Sequence, residues 1–327
     1  MVFRFKLAIN FKKNLMKTIK LNAFKGIAVF SAFIFMMSSC TDDFIGKISE
    51  KAKVETVVPN FLGNDGVSVD RQGKVLTSNF GNFSGTEVLR TNPRTGDFEI
   101  AVDSVLAPTG NAVDRNGNIF VVNNIRFTAE NDGTTEADVI KVLPDGTRTV
   151  LATLPGFPSG LTLDNRGNAY VSNFSFPGVH KVTPEGEATV FAEDVRLGGS
   201  VGIDFDNKGN LYVGNFVSGE ILKIKRDGAV ELLATLPIIV DDFVIGYLTH
   251  FAGSLFVTAI GENVIYRVSL SGDISVFTGN GQAGTIDGPL EEASFNSPNG
   301  IAVDPIRRVI YISEFGAGGG LRAIKLK

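Results

Sequence analysis

The chain has no tryptophan, a single cysteine and only two histidines. With Cys40 alone, an intramolecular disulfide framework is excluded, so the fold must hold by strand pairing and apolar packing. His180 and His250 lie far apart in sequence, and both are read as structural residues. They leave no Ser-His-Asp grouping, and there is no Gly-x-Ser-x-Gly elbow. Helical periodicity is missing beyond the first 39 residues. The uncharged apolar run there, Gly26 to Met37, is shorter than a bilayer span requires. Those 39 residues also lack any acid, although they carry Arg4, Lys6, Lys12, Lys13, Lys17, Lys20 and Lys25.

What the chain does have is glycine, 37 in all, and a pattern built on it. Gly160-Leu161-Thr162-Leu163-Asp164-Asn165-Arg166-Gly167-Asn168-Ala169-Tyr170-Val171-Ser172-Asn173 joins two apolar alternations through Asp-x-x-Gly. Period-two alternation predicts strands, and Asp-x-x-Gly between them predicts a tight hairpin. The Asp accepts backbone N–H bonds within the turn, and the Gly takes a left-handed conformation. The pattern starts at Gly66, Gly110, Gly160, Gly202, Gly246 and Gly300, spacings of 44, 50, 42, 44 and 54. In the fifth copy His250 replaces the Asp, and Ala259 replaces the closing Asn.

That period suits a four-stranded unit. Two further strands follow most hairpins, as in Glu220–Lys225, the turn Arg226-Asp227-Gly228, and Ala229–Ala234. The sixth unit stops after its third strand, Leu321–Leu326, while an unassigned strand, Val54–Val58, precedes the first. An all-β, six-bladed β-propeller over 54–327 is therefore predicted, its last blade closed by the N-terminal strand.

The basic, then apolar, start reads as a signal segment over 1–39, with either Met1 or Met16 as its first residue. Its end, Met37-Ser38-Ser39-Cys40, resembles a bacterial lipoprotein signal, which implies acylation of Cys40. Residues 40–53 then form a tether. Thr41-Asp42-Asp43 resembles the acidic tether of some surface-exposed Bacteroidetes-type lipoproteins. The expected location is extracytoplasmic, lipid-anchored to the outer membrane. Without the seven basic residues of the first 39, 24 basic residues face 35 acidic ones, a net charge of −11. A surface that negative argues against nucleic acid as a partner. A monomer is expected.

The motif Gly-x-x-x-Asp-x-x-Gly-Asn-x-Tyr-Val-x-Asn resembles the NHL repeat. The match is closest from Phe277 to Gly284 and from Ala293 to Asp304. The wider group takes in the senescence-marker-protein/gluconolactonase propellers and the streptogramin lyases, and the resemblance covers residues 54–327. It implies fold more than function, since such propellers host lactonases, lyases and binding modules.

Propeller geometry places two residue sets at one channel rim. Asp65, Thr109, Ser159, Val201, Ile245 and Asn299 precede the repeat glycines. Asn79, Asn123, Asn173, Asn215, Ala259 and Glu314 end the second strands. The polar members form a candidate ligand-binding ring. The gluconolactonase resemblance implies a divalent cation such as Ca²⁺, with Asp65, Asn299 and Glu314 as its available ligands. Its Pro-Asp-Gly loop has no match here. The lyases' His/Glu chemistry finds only the two scattered histidines. The recurring Asn has a structural reading too, bonding backbone between blades, and Glu314 has Arg307 or Arg308 as possible partners. Phe80, Phe174, Phe216 and Phe315, each following a second strand, are expected to pack between sheets. The loops at 124–133 and 237–243 break the period and are candidates for specificity. Ile238-Ile239-Val240 is expected to plug the channel or meet a partner.

The expected function is binding of a small ligand or protein partner at one channel mouth. A metal-dependent sugar-lactone hydrolase is the first alternative. A structural display module of a surface complex is the second.

Overall fold

The computed structural model describes residues 52–126, 135–238 and 243–326. Cys40 and the signal-like segment lie outside them, as do the middle portions of the two long loops. The described residues form six antiparallel sheets arranged as the blades of a propeller. Blades 1 to 5 have four strands each, paired in chain order. Among the described residues, no helix is long and apolar enough to cross a membrane.

The hairpins form for the reasons their residues suggest. Asp164 Oδ1 accepts the backbone N–H groups of Arg166 and Asn168, each at 2.9 Å, and its Oδ2 accepts Asn168 Nδ2 at 2.7 Å. Gly167 sits at φ +84°, where a Cβ would be strained. Asp114 and Asp206 repeat this bonding in their blades.

The sheets hold together face to face. Six apolar clusters fill the six seams between adjacent blades, the one between blades 5 and 6 reaching Val201 of blade 4 at the axis. Tyr212 and Ile221 of blade 4, for example, pack with Leu248, Val257 and Val268 of blade 5. Each such side chain contributes about 1.5–3 kcal/mol by leaving water. At the axis the inner strands come closer still. A Cβ on Gly66 would lie 2.6 Å from the Thr109 carbonyl oxygen of the next blade.

Blade 6 closes the ring as expected. Its chain-order strands Pro298–Asp304, Val309–Glu314 and Leu321–Lys325 are followed by Lys53–Val58, from the other end of the described chain. Val54 pairs with Ile324, Glu55 with Ala323 and Thr56 with Arg322. A two-residue strand, Gly288–Pro289, then covers the outer edge, so this sheet has five members rather than the predicted four.

Arg322 ties these pieces together. Its guanidinium is fully buried and donates to Glu314 Oε1 and Asp287 Oδ1, each at 2.8 Å. It also donates to the carbonyls of Ser294 and Ile286 and lies over the Phe295 ring. Asp287 in turn accepts both the backbone N–H and the hydroxyl of Thr56, on the closing strand. One cation thus links the third strand, the 279–297 excursion and the latch. Removing one member of a buried pair strands the other's charge. Arg322→Ala is therefore expected to cost about 3–5 kcal/mol in urea unfolding. Adding Glu314→Gln to Arg322→Met should recover more than half of that loss.

Candidate ligand-binding mouth

One end of the channel opens into a cavity of about 360 Å³. Its floor includes Asp65, Thr109, Ser159, Val201 and Asn299, the residues placed there by counting back from five repeat glycines. The sixth counted residue, Ile245, is instead fully buried in the seam between blades 4 and 5. Tyr247 lines the cavity in its place.

The cause is a shorter turn. Blade 5 reverses through two residues, Ala252 and Gly253, at φ +49° and +76°. Counting back from Gly253 therefore misses the frame by one. The backbone shows the true frame: Tyr247 N–H donates to Thr258 Oγ1 at 2.9 Å. Gly160 and Gly300 make the same bond to Ser172 and Ser313. Tyr247 thus occupies the repeat glycine's position, and its phenol enters the channel.

That phenol donates to Asp65 Oδ1 at 2.5 Å, joining blades 5 and 1 across the mouth. Gly66 N–H donates to the same oxygen at 2.8 Å. Asn299, from blade 6, donates through Nδ2 to Asp65 Oδ2 at 3.2 Å and to the Asn64 carbonyl at 2.9 Å. Asp65 is only 8% exposed. Burial pushes its pKa up to about 6, against the pull of the bonds from Tyr247, Gly66 and Asn299. Burial also holds the Tyr247 phenol well above its usual range, and the neighbouring Asp65 charge adds to this.

Above this floor stands a wall of phenylalanine. Phe315, Phe80, Phe83, Phe157, Phe174, Phe216 and Phe243 all line the cavity. Successive rings along that order lie 4.7 to 6.5 Å apart between centroids. The sequence places four of them between the sheets, and the structure does not. The seams are already filled by the strands' own side chains, aromatic as well as aliphatic, and a residue just past a strand end stands clear above the rim. The other three, Phe83, Phe157 and Phe243, come from segments outside the repeat. No spacing rule in the sequence would have found them.

The asparagine series does other work. None of Asn79, Asn123, Asn173 or Asn215 lines the cavity. Asn173 accepts the N–H groups of Phe157, Ser175 and Phe176 and donates to the Pro155 carbonyl. Asn215 donates to the carbonyls of Arg196 and Gly198 and accepts from Val217 and Ser218. Asn123 accepts from Leu106 N–H, and Asn79 donates to Glu87. Three of the four thus pin the crossover arriving from the previous blade.

Glu314 fills the same position in blade 6. Its oxygens accept the N–H groups of Asn296 and Gly320 as well as Arg322. Arg307, by contrast, pairs with Asp304. Glu314 is absent from the cavity lining, so the structure does not bring together Asp65, Asn299 and Glu314 as a ligand set. Among the described residues, no three His, Cys, Asp or Glu side chains are grouped to hold a metal. At the floor itself, Asp65 is a single carboxylate, and its neighbours Tyr247, Gly66 and Asn299 are spent donating to it, far short of the roughly six to eight oxygen ligands a Ca²⁺ ion takes. These residues do not fit a divalent ion.

No family model and no curated protein matches this sequence. Solved structures do. A virginiamycin B lyase from Staphylococcus aureus is 16% identical with a TM-score of 0.59, over 84% of this chain and 100% of its own. A gluconolactonase from Xanthomonas campestris is 16% identical, TM-score 0.61, over 84% and 89%. An auxiliary nutrient binding protein from Bacteroides thetaiotaomicron is 15% identical, TM-score 0.64, over 84% and 76%. The shared feature is the fold. At such low identity the likeness carries no activity from one propeller to another.

The raised Asp65 pKa fixes the sign of a pH effect. An acid whose folded pKa exceeds its unfolded value stabilises while protonated, and that stability is lost as pH rises through about 6. Relative to wild type, Asp65→Asn is thus expected to gain about 2 kcal/mol between pH 4.5 and pH 7.5. Urea unfolding of both proteins at the two pH values measures it, and a constant difference would contradict the assignment.

Proposed function

We propose that this chain is a lipid-anchored, extracytoplasmic binding propeller that takes a small, largely apolar ligand into the phenylalanine-walled mouth. The observation that carries this reading is the unbroken run of seven rings above a compact polar floor. A cavity of about 360 Å³ falls in the range of small-molecule sites, and apolar walls with few polar groups are typical of them. A protein loop is the less suited occupant, because the polar groups converge at the bottom of a confined space. The anchoring part rests on Met37-Ser38-Ser39-Cys40, since two or three acyl chains hold a protein stably on a membrane. The likeness to an auxiliary nutrient binding protein agrees with a binding role. Hydrolysis of a lactone has less support, because the floor offers one carboxylate already bonded by three donors.

A neutral aromatic dye tests the mouth. N-phenyl-1-naphthylamine is expected to brighten on binding, and the pair Phe174→Ala/Phe216→Ala to weaken it by roughly tenfold or more. Ile306→Ser, at an exposed turn of the opposite rim, should leave the dye's affinity unchanged. Equal binding by the double variant and wild type would refute the mouth. The anchor is tested by labelling cells with an alkyne fatty acid. Wild type should take up label and sediment with membranes, and Cys40→Ser should do neither. Unlabelled, soluble wild type would remove the anchor.

A further inference from the structure

Asp65 is a carboxylate without a cation. Among the described residues, no Lys, Arg or His lines the cavity. The three groups that bond Asp65 are neutral: a phenol, a backbone N–H and an amide. Neutral donors orient a carboxylate and ease its desolvation, but its charge persists once the proton leaves. The neighbouring blade shows the contrasting solution. There the buried Glu314 is matched at 2.8 Å by the buried Arg322. The protein supplies a counter-ion to one buried acid and leaves the other facing an opening.

The walls above Asp65 favour the same sign of charge. Aromatic faces carry negative electrostatic potential and attract cations, the more so where water is excluded. Seven phenylalanines line this mouth, and three of them, Phe83, Phe174 and Phe243, are partly open to solvent. At longer range, a chain of net charge −11 after residue 39 draws cations and repels anions.

Building on the reading of the mouth as a small-ligand site, we propose that its ligand is an organic cation. An ammonium group meets Asp65, and an apolar, ring-bearing body lies against the phenylalanines. The Tyr247 hydroxyl and the Asn299 amide hold the carboxylate in place from either side. Discrimination against neutral analogues comes from Asp65, and discrimination against carboxylic acids from the same charge.

Three ligands sharing one skeleton separate charge from hydrophobicity: 3-phenylpropylamine, 3-phenylpropan-1-ol and 3-phenylpropanoate, measured by calorimetry. At pH 7.5 the amine is expected to bind roughly tenfold tighter than the alcohol, with the propanoate weakest. Tyr247 is the titratable group facing Asp65, and it stays neutral across this range. The amine's advantage should therefore shrink at pH 4.5 as Asp65 takes up its proton, a wild-type measurement independent of any variant. In Asp65→Asn, with folding checked by its melting curve, the amine's advantage over the alcohol should fall well below the wild-type value and no longer change between the two pH values. If wild type binds amine and alcohol equally, the cation is refuted and the apolar mouth stands. The cation is refuted, and the mouth again stands, if the naphthylamine dye binds but the amine does not. If the dye, amine and alcohol all fail to bind, both readings fall.

Discussion

A stack of sheets has two open edges unless its ends meet, and here they meet through one short strand. Lys53–Val58 pairs along Leu321–Lys325, so backbone groups that would face solvent in a linear array are bonded. Closure does more than protect an edge. It fixes the angle at which six inner strands converge, and with it the width of the channel. Asp65 lies on blade 1 and Asn299 on blade 6, on opposite sides of the closing seam. Their contact exists only because the ring is shut. The buried Arg322, gripping Asp287, which holds Thr56, places a strongly coupled ion network at the same joint.

Most of the architecture is legible in the sequence because repetition makes it so. The Asp-x-x-Gly turn announces the hairpins of blades 1 to 4 through a bond the Asp side chain makes locally. Four copies of it and two degraded ones, at His250 and Asp304, give the blade number, and the missing fourth strand of the last unit points to the latch. The floor of the mouth is legible for the same reason in five blades. What escapes is whatever departs from the repeat. Tyr247 is hidden by a turn one residue shorter than its counterparts. Phe83, Phe157 and Phe243 stand outside the repeat, where no period constrains them. Phe80, Phe174, Phe216 and Phe315 can be found by position but not placed, since sequence does not reveal that the strands' own side chains already fill the seams.

The same contrast separates structural from functional polar groups. Asn173 and Asn215 recur because every crossover between blades leaves backbone N–H and carbonyl groups that need partners. A side chain required once per blade is answering a need the fold has once per blade. Even Glu314, which looks like an exception, answers it, accepting the backbone of Asn296 and Gly320 while Arg322 neutralises the added charge. Its singularity is electrostatic, and the molecule compensates it internally.

Asp65 and Tyr247 are exceptions of another kind. A phenol where the other blades have glycine crowds the axis, and a carboxylate beneath it loses hydration with no cation to offset the loss. Neither is demanded by blade packing, since Thr109 and Ser159 serve the same rim positions without charge. A buried acid held by neutral donors at the foot of an aromatic shaft raises the free energy of the empty protein. On the proposed reading, a partner of opposite sign arriving from solution would relieve that cost, making a local destabilisation the source of affinity and of its selectivity for charge.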